Sequence, residues 1–303
     1  MQRATLLHRY AAGRTTLPAL LELLKPITWF PPMWAFLCGA ISVDANLLEN
    51  KWLLLGGITL TGPMVCGASQ VVNDWFDRHV DAINEPHRPI PSGRVPGKIG
   101  LYFAIVWSGL ALAWGATFGR WVFIATLIGL ILAWAYSAPP TRLKLNGWVG
   151  NAAVGLSYEG LAWITGAALL LQGQIPAAPV LLVALLYSIG AHGIMTLNDF
   201  KSIAGDRELG IRSLPAQLGA DRAARLACIV MLLPQLVVLA LLLTWACYWQ
   251  AGAIGVLVMG QILAMRHMLQ APKERAPWYN GTGVTAYVLG MMISASALPG
   301  ATL

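Results

Sequence analysis

The stretch that decides the fold is residues 226–265, LACIVMLLPQLVVLALLLTWACYWQAGAIGVLVMGQILAM, which contain no Asp, Glu, Lys or Arg. One helical crossing of a bilayer needs about 20 predominantly apolar residues. These 40 residues therefore predict two crossings, with the chain turning back near residues 247–255. The chain is predicted to be an integral membrane protein.

Other charge-free runs repeat this pattern along the chain. They cover residues 26–43, 52–72, 99–119, 121–141, 172–198 and 276–303, and residues 148–171 are interrupted only by Glu159. The composition agrees, because 57% of the residues are apolar and 11% are charged, whereas soluble domains carry about 25% charged residues. The sequence predicts an all-α polytopic membrane protein with nine transmembrane helices.

The distribution of basic residues predicts the orientation. With the N-terminus in the cytoplasm, only Lys51 and Arg120 among the 20 Lys and Arg residues fall on the opposite side, as the positive-inside rule requires. Topology therefore explains the pI of 9.4 without a nucleic-acid partner. The first apolar run lacks a small-residue cleavage site and is interpreted as a retained helix; the bases before it are Arg3, Arg9, Arg14 and Lys25.

The four cysteines lie in apolar runs without metal-ligand spacing. A free cysteine in such a run behaves as a small buried hydrophobe, so no disulfide is predicted.

An acidic pattern occurs twice. Residues 73–81 read NDWFDRHVD and residues 198–206 read NDFKSIAGD, with Arg and Pro following at similar offsets in 88–93 and 212–215. The copies follow the second and sixth predicted helices, which places both on the cytoplasmic side. We expect one domain, 1–303, with two related halves at about 26–145 and 148–303, whose equivalent loops meet over one cavity.

The acids in each copy have the spacing of a helix face. Residues at i, i+3 and i+7 point the same way, and two carboxylates about 5 Å apart repel by roughly 3 kcal/mol. Solvated charges at helix ends are the alternative, but two matching copies in a charge-poor chain favour a cation. Carboxylates combined with phosphates are the usual environment of magnesium. The predicted ligands of Mg²⁺ are Asn73, Asp74, Asp77, Asp81, Asp199 and Asp206.

Basic residues accompany the acids in the same cytoplasmic segments. A diphosphate requires bridging metal ions and direct Arg or Lys donors, although each base taken singly is equally explained by topology. The candidate diphosphate contacts are Arg88, Arg142, Lys144, Lys201 and Arg207.

These motifs resemble those of the UbiA superfamily of intramembrane prenyltransferases, and the resemblance spans nearly the whole chain. The runs 73–93 and 198–215 are similar to the forms found in its chlorophyll- and bacteriochlorophyll-synthase branch. Ser202 stands where many members have Asp, which leaves Asp199 and Asp206 as the carboxylates of the second motif.

The resemblance implies a helical bundle around a lipid-open cavity. It also implies Mg²⁺-dependent transfer of a geranylgeranyl or phytyl group from its diphosphate to the C17 propionate of a (bacterio)chlorophyllide. The expected location is a bacterial inner (intracytoplasmic) membrane, with proteins of pigment assembly as expected partners. The alternatives are a prenyltransferase of a quinone or haem O pathway, and a transporter, which internal repeats would also suit.

Two ionisable residues lie within predicted spans. An intramembrane carboxyl such as Glu159 is a functional candidate by default, and His192 carries an imidazole that could ligate the central magnesium of a chlorin. Both are candidates for tetrapyrrole binding. The alternative for each is a hydrogen bond to a neighbouring helix.

Overall fold

The computed structural model describes residues 15–298, and the chain there forms twelve α-helices joined by short turns. Arg3, Arg9 and Arg14, on which part of the predicted orientation rests, lie outside the described residues. The helices are α1 Leu17–Leu23, α2 Phe30–Ile41, α3 Lys51–Asn84, α4 Ile99–Ala116, α5 Arg120–Ser137, α6 Gly147–Leu170, α7 Ala178–Asn198, α8 Ile203–Glu208, α9 Leu214–Leu218, α10 Ala220–Thr244, α11 Tyr248–Met268 and α12 Pro272–Ala295.

Seven helices in residues 15–298 are long and apolar enough to cross a bilayer: α3, α4, α5, α6, α7, α10 and α11. The predicted first run holds α2, which has only 12 residues. The predicted ninth run holds α12, whose first turn carries Lys273, Glu274 and Arg275. An all-helical membrane fold is confirmed for the described residues, and the count of nine spans stays a prediction.

The long uncharged run 226–265 divides into α10 and α11, as expected. The break lies at residues 245–247, at the near edge of the predicted turn. Ala246 has a left-handed backbone with φ 55°, and the preceding helix ends at Thr244.

Two of the spanning helices contain a π-helical turn. One is Leu60–Cys66 in α3 and the other is Leu156–Leu161 in α6. Pro63 lies within the first and has no backbone N–H to donate. Turns of this kind occur frequently at functional sites, and side chains from both line the same cavity.

Helices α2 and α6 touch through their backbones. A Cβ added at Gly39 would lie 1.9 Å from the carbonyl oxygen of Trp163, and one added at Gly166 would lie 2.0 Å from that of Phe36. Small residues permit such close approach in membrane helices, where dispersion contacts replace the hydrophobic effect. This crossing fixes α2 against the half of α6 that follows its π-helical turn.

A cavity of about 460 Å³ lies between α2, α3, α5, α6 and α7. Its walls are mostly apolar, with Val65, Leu132, Ala162 and Ile194 among the lining residues. Beside it, the largest apolar core joins α7 to α10, α11 and α12 around the buried rings of Tyr187, Tyr279 and Tyr287. The packed helices therefore enclose a preformed space that opens towards both acidic motifs.

Candidate active site

The first acidic motif lies on the final turns of α3, not in a loop as predicted. The helix continues to Asn84 and ends where Glu85 precedes Pro86, a position that disfavours helical backbone. Asp74 is 1% exposed and Asp81 is 6% exposed. The predicted helical register is confirmed, and it directs these two carboxylates inward.

Two bases neutralise this buried pair of carboxylates. Lys25 Nζ lies 2.5 Å from Asp74 Oδ1. Arg88 Nη1 lies 2.8 Å from Asp81 Oδ2 and 3.5 Å from Asp74 Oδ1. Burial disfavours the charged guanidinium, but attraction to Asp74 and Asp81 outweighs burial and raises the pKa of Arg88. Arg88 is therefore held in its cationic form between two carboxylates.

Asp77 is bound by a different set of groups. Lys144 forms an ion pair with Asp77 Oδ1, Arg142 Nη2 lies 3.7 Å from the same atom, and Asn73 Nδ2 donates to Asp77 Oδ2 at 2.9 Å. Burial lowers the pKa of Lys144, an effect that its pairing with Asp77 partly opposes. Of the five predicted diphosphate contacts, three thus lie beside the first motif.

Two of these bases occupy strained backbone conformations. Lys25 has φ 45° and Arg142 has φ 38°, in a left-handed region that few residues other than glycine adopt. Each directly precedes a 3₁₀ turn, Pro26–Thr28 or Leu143–Leu145. Strain of this kind persists where the surrounding structure holds it and clusters at functional sites.

Lys25 was assigned only a topological role by the sequence. Its partner lies 49 residues away along the chain, beyond the reach of any local periodicity. The one signal in the sequence was its position before Pro26, at the entry of the first apolar run.

The second motif is built differently. Asp199 begins the 3₁₀ turn Asp199–Lys201, and Asp206 lies in α8 with 8% exposure. Ser202 Oγ donates to Asp206 Oδ2 at 3.0 Å. The serine that replaces the commoner aspartate therefore holds a carboxylate in place instead of supplying one.

The two motifs differ in their counter-charges. Within residues 15–298, neither Asp199 nor Asp206 forms an ion pair, whereas the acids of the first motif pair with four bases. Lys201 and Arg207 are exposed and pair with no acid in the described chain. Asp206 and Lys201 have opposite electrostatic effects on Asp199, so the second motif has charges of both signs nearby but no direct ion pair in the described chain.

Both motifs border the same cavity. Asn73 and Asn198 line it. Tyr136 also lines it and is close enough to Asp77, Asp199 and Asp206 to be affected by the charge of each. Backbone hydrogen bonds also tie the segment that carries Lys144 to the second motif, since Gly147 N donates to Arg212 O at 2.8 Å and Arg212 N donates to Leu145 O at 3.0 Å. Residues of both motifs therefore lie beside one cavity.

The donor chemistry fits a magnesium ion. In the part of the chain that the structure describes, no three His, Cys, Asp or Glu side chains converge as a metal-binding group; Asp74 and Asp81 share Arg88, whereas Asp77 pairs with Lys144. Asp74 Oδ2, however, is buried and has no hydrogen-bond partner. An all-oxygen set that leaves positions open for phosphate oxygens suits Mg²⁺.

Tyr158 connects the two π-helical turns and was missed by the sequence analysis. Its hydroxyl oxygen accepts from Gln70 Nε2 at 3.0 Å and from Cys66 Sγ at 3.4 Å. Gln70 lies one helical turn before Asn73. The hydroxyl thus links the α3 segment that carries the first motif to the cavity wall formed by α6.

The two intramembrane candidates have different environments. Glu159 lines the cavity. His192 does not line it; its Nε2 lies 3.2 Å from the carbonyl oxygen of Trp148, and its ring centroid lies 5.9 Å from that of Trp148. The structure thus gives His192 the interhelical hydrogen bond that was its alternative interpretation.

Comparison with known proteins identifies the family of the chain. The UbiA prenyltransferase family matches residues 28–286. The chain is 57% identical to the bacteriochlorophyll synthase 33 kDa chain of Rhodobacter capsulatus, over 94% of both chains. It is 38% identical to chloroplastic chlorophyll synthase of Avena sativa, over 91% of this chain and 75% of that protein.

A solved structure shares the fold. It is a UbiA homologue from Archaeoglobus fulgidus bound to GPP and Mg²⁺, with a TM-score of 0.63 and 18% identity over 93% of this chain and 97% of that one. The family match covers most of the chain, and the relatives match it nearly from end to end. The chain belongs to the UbiA prenyltransferase family.

Proposed function

We propose that this chain is a Mg²⁺-dependent prenyltransferase that esterifies the C17 propionate of a (bacterio)chlorophyllide with geranylgeranyl or phytyl diphosphate and releases diphosphate. The observation that carries the proposal is the 57% identity to a bacteriochlorophyll synthase chain over 94% of both sequences. The paired acidic motifs at the mouth of an apolar cavity supply the chemistry that such a reaction needs.

The metal ligands in this proposal come from both motifs. Asn73, Asp74, Asp77 and Asp81 would hold Mg²⁺ on one side, and Asp199 and Asp206 on the other, with Ser202 orienting Asp206. When bound, Mg²⁺ neutralises the diphosphate and makes it a better leaving group.

The basic residues complete the binding site for the anion. Lys25, Arg88, Arg142 and Lys144 already surround the first motif, and Lys201 and Arg207 flank the second. Fixed cations beside a breaking C–O bond stabilise the negative charge that develops on the leaving group, which is usually the largest contribution to catalysis. Lys25 joins the five bases proposed from the sequence.

The cavity keeps water away from the allylic carbon. Its walls are mostly apolar, so the electrophilic prenyl group meets the acceptor carboxylate in preference to water, which would give an alcohol. A propionate has a reference pKa near 4 and is ionised at neutral pH. The acceptor is therefore already nucleophilic, and the reaction needs no general base and no activated acid.

The proposal includes a topology. We place both motifs and the N-terminus on the cytoplasmic side of a bacterial inner (intracytoplasmic) membrane, with α2 and α12 completing nine spans as two related halves. Pairing of the cytoplasmic segments that carry Lys144 and Arg212 supports a shared side. Proteins of pigment assembly are the proposed partners.

The alternatives have less support. A quinone or haem O pathway would use the same ionisation of a prenyl diphosphate with another acceptor, but relatives that are 57% and 38% identical to this chain carry bacteriochlorophyll and chlorophyll synthase names. Membership of a prenyltransferase family argues against a transporter.

The test uses the purified full chain in lipid nanodiscs. It is incubated with chlorophyllide or bacteriochlorophyllide, each with geranylgeranyl or phytyl diphosphate, and the ester is identified by mass. We expect an ester with wild type and with Asp44→Asn, a variant of an exposed carboxylate far from the motifs. We expect none with Asp77→Asn. Diphosphate release with no pigment ester would contradict the proposed acceptor.

A further inference from the structure

Glu159 is a carboxyl group without a partner inside the membrane-spanning region. It lies on the π-helical turn Leu156–Leu161 of α6 and lines the cavity. In the described part of the chain its only polar contact is with its own backbone. Leaving such a group unpaired in an apolar site is costly, and a ligand with a hydrogen-bonding group would offset that cost.

Three threonine hydroxyls deep in the cavity are already satisfied. Thr126 Oγ1 donates to Val122 O at 2.8 Å, Thr165 Oγ1 donates to Leu161 O at 2.7 Å, and Thr61 Oγ1 donates to Gly57 O at 3.0 Å. Each of these hydroxyls bonds within its own helix. Among the described lining residues, Glu159 and Ser157 lie on the same π-helical turn and make no side-chain hydrogen bond to another residue, and Glu159 is the one that carries a carboxyl group.

Glu159 lies far below the acidic motifs. A Cβ added at Gly160 would lie 2.4 Å from Ser188 Oγ, so this part of α6 is level with Ser188 on α7. Asn198, at the cavity mouth, lies ten residues further along α7, a rise of about 15 Å. Glu159 is thus too distant to ligate a metal ion that Asp199 or Asp206 would hold.

The chemistry of the two substrates decides which of them Glu159 contacts. This step rests on the proposed function. A prenyl chain has no polar atom beyond its diphosphate, so the partner of Glu159 belongs to the tetrapyrrole. The isocyclic keto group lies beside the ring that bears the reacting propionate. The C3 acetyl group of a bacteriochlorophyllide lies further from that propionate and offers a carbonyl oxygen.

We infer that the Glu159 carboxyl donates a hydrogen bond to the C3 acetyl carbonyl of the acceptor ring, and so selects acetyl-bearing over vinyl-bearing rings. In an apolar cavity with no cation beside it, the neutral acid is far less costly than the carboxylate. The neutral acid carries an O–H donor, which suits a carbonyl oxygen and finds no acceptor on a vinyl group.

The test uses a matched pair of rings that differ only at C3, bacteriochlorophyllide a and its 3-vinyl analogue. Affinity is measured by quenching of protein tryptophan fluorescence, and KM by ester formation. One net hydrogen bond corresponds to about a three- to tenfold preference for the acetyl ring. We expect this preference in wild type and in Glu159→Gln, which keeps a donor, and its loss in Glu159→Leu.

Thr165→Val is the control, because it removes a cavity hydroxyl that is already bonded within its own helix; it should keep the preference. The KM for the prenyl diphosphate should be unchanged in every variant. If wild type does not prefer the acetyl ring, or if Glu159→Leu keeps the preference, the inference is wrong while ester formation by wild type still supports the proposed function. If wild type forms no ester with either ring, the proposed function fails first.

Discussion

The contact between α2 and α6 yields a prediction with a worked magnitude. A methyl group at Gly166 would lie 2.0 Å from Phe36 O and 2.9 Å from Ala40 N, whereas ordinary contact begins at 3.4 Å. The Gly166→Ala substitution therefore requires these backbones to separate by roughly the 1.4 Å shortfall. Overpacking of a close contact costs about 1–3 kcal/mol, and neither obstructing atom is the flexible end of a side chain.

Gly260 in α11 provides the matched control, because a Cβ there meets no atom within 4 Å. Alanine inside a helix is more stable than glycine by about 0.5–1 kcal/mol, so Gly260→Ala should melt at or slightly above wild type. Both substitutions add one methyl group. Gly166→Ala is expected to lower the melting temperature, and Gly260→Ala is expected to keep it or raise it slightly.

The assay is thermal unfolding in one detergent, followed by static light scattering and by loss of prenyltransferase activity. Gly166→Ala should melt at a lower temperature than wild type. It should also lose activity, since α2 and the π-helical turn of α6 both line the cavity. Equal melting temperatures for Gly166→Ala and Gly260→Ala would refute this account of the helix contact.

Three further predictions concern the site. Asp206→Asn should lower turnover about 100-fold or more with an unchanged melting temperature; near-normal turnover of the purified variant would exclude Asp206 from the reaction. Chelation with EDTA should abolish ester formation and excess Mg²⁺ should restore it, so full activity in EDTA would contradict a metal-dependent reaction. Lys25→Met should lower the free energy of unfolding by about 3–5 kcal/mol, because it removes one partner of the buried Asp74; the exposed Lys51→Met is the control, and equal melting of the two would contradict the ion pair.

The sequence predicted the parts of the fold that depend on local composition. Uncharged runs located the spans because a bilayer accepts almost no charged residue, and the spacing of Asp74, Asp77 and Asp81 gave the helical register. The prediction of an Asp-rich loop was wrong for the first motif. The residues there are no longer apolar, which ends the membrane span, but the helix itself continues. The structure continues α3 to Asn84.

The features that the sequence could not predict are long-range contacts. Lys25 meets Asp74 across 49 residues, and Gln70 meets Tyr158 across 88. The left-handed backbone of Arg142 and the π-helical turns likewise depend on packing partners, and their sequences carry no special residue except Pro63. One chain read alone contains no record of which distant groups approach each other.

The two acidic motifs differ in ion pairing, and this difference determines which bases are available to an incoming anion. The acids of the first motif pair with four bases, and Asp199 and Asp206 pair with none in the described chain. An anion that approaches the first motif therefore meets bases that are already ion-paired, whereas Lys201 and Arg207 beside the second motif are exposed and pair with no acid in the described chain.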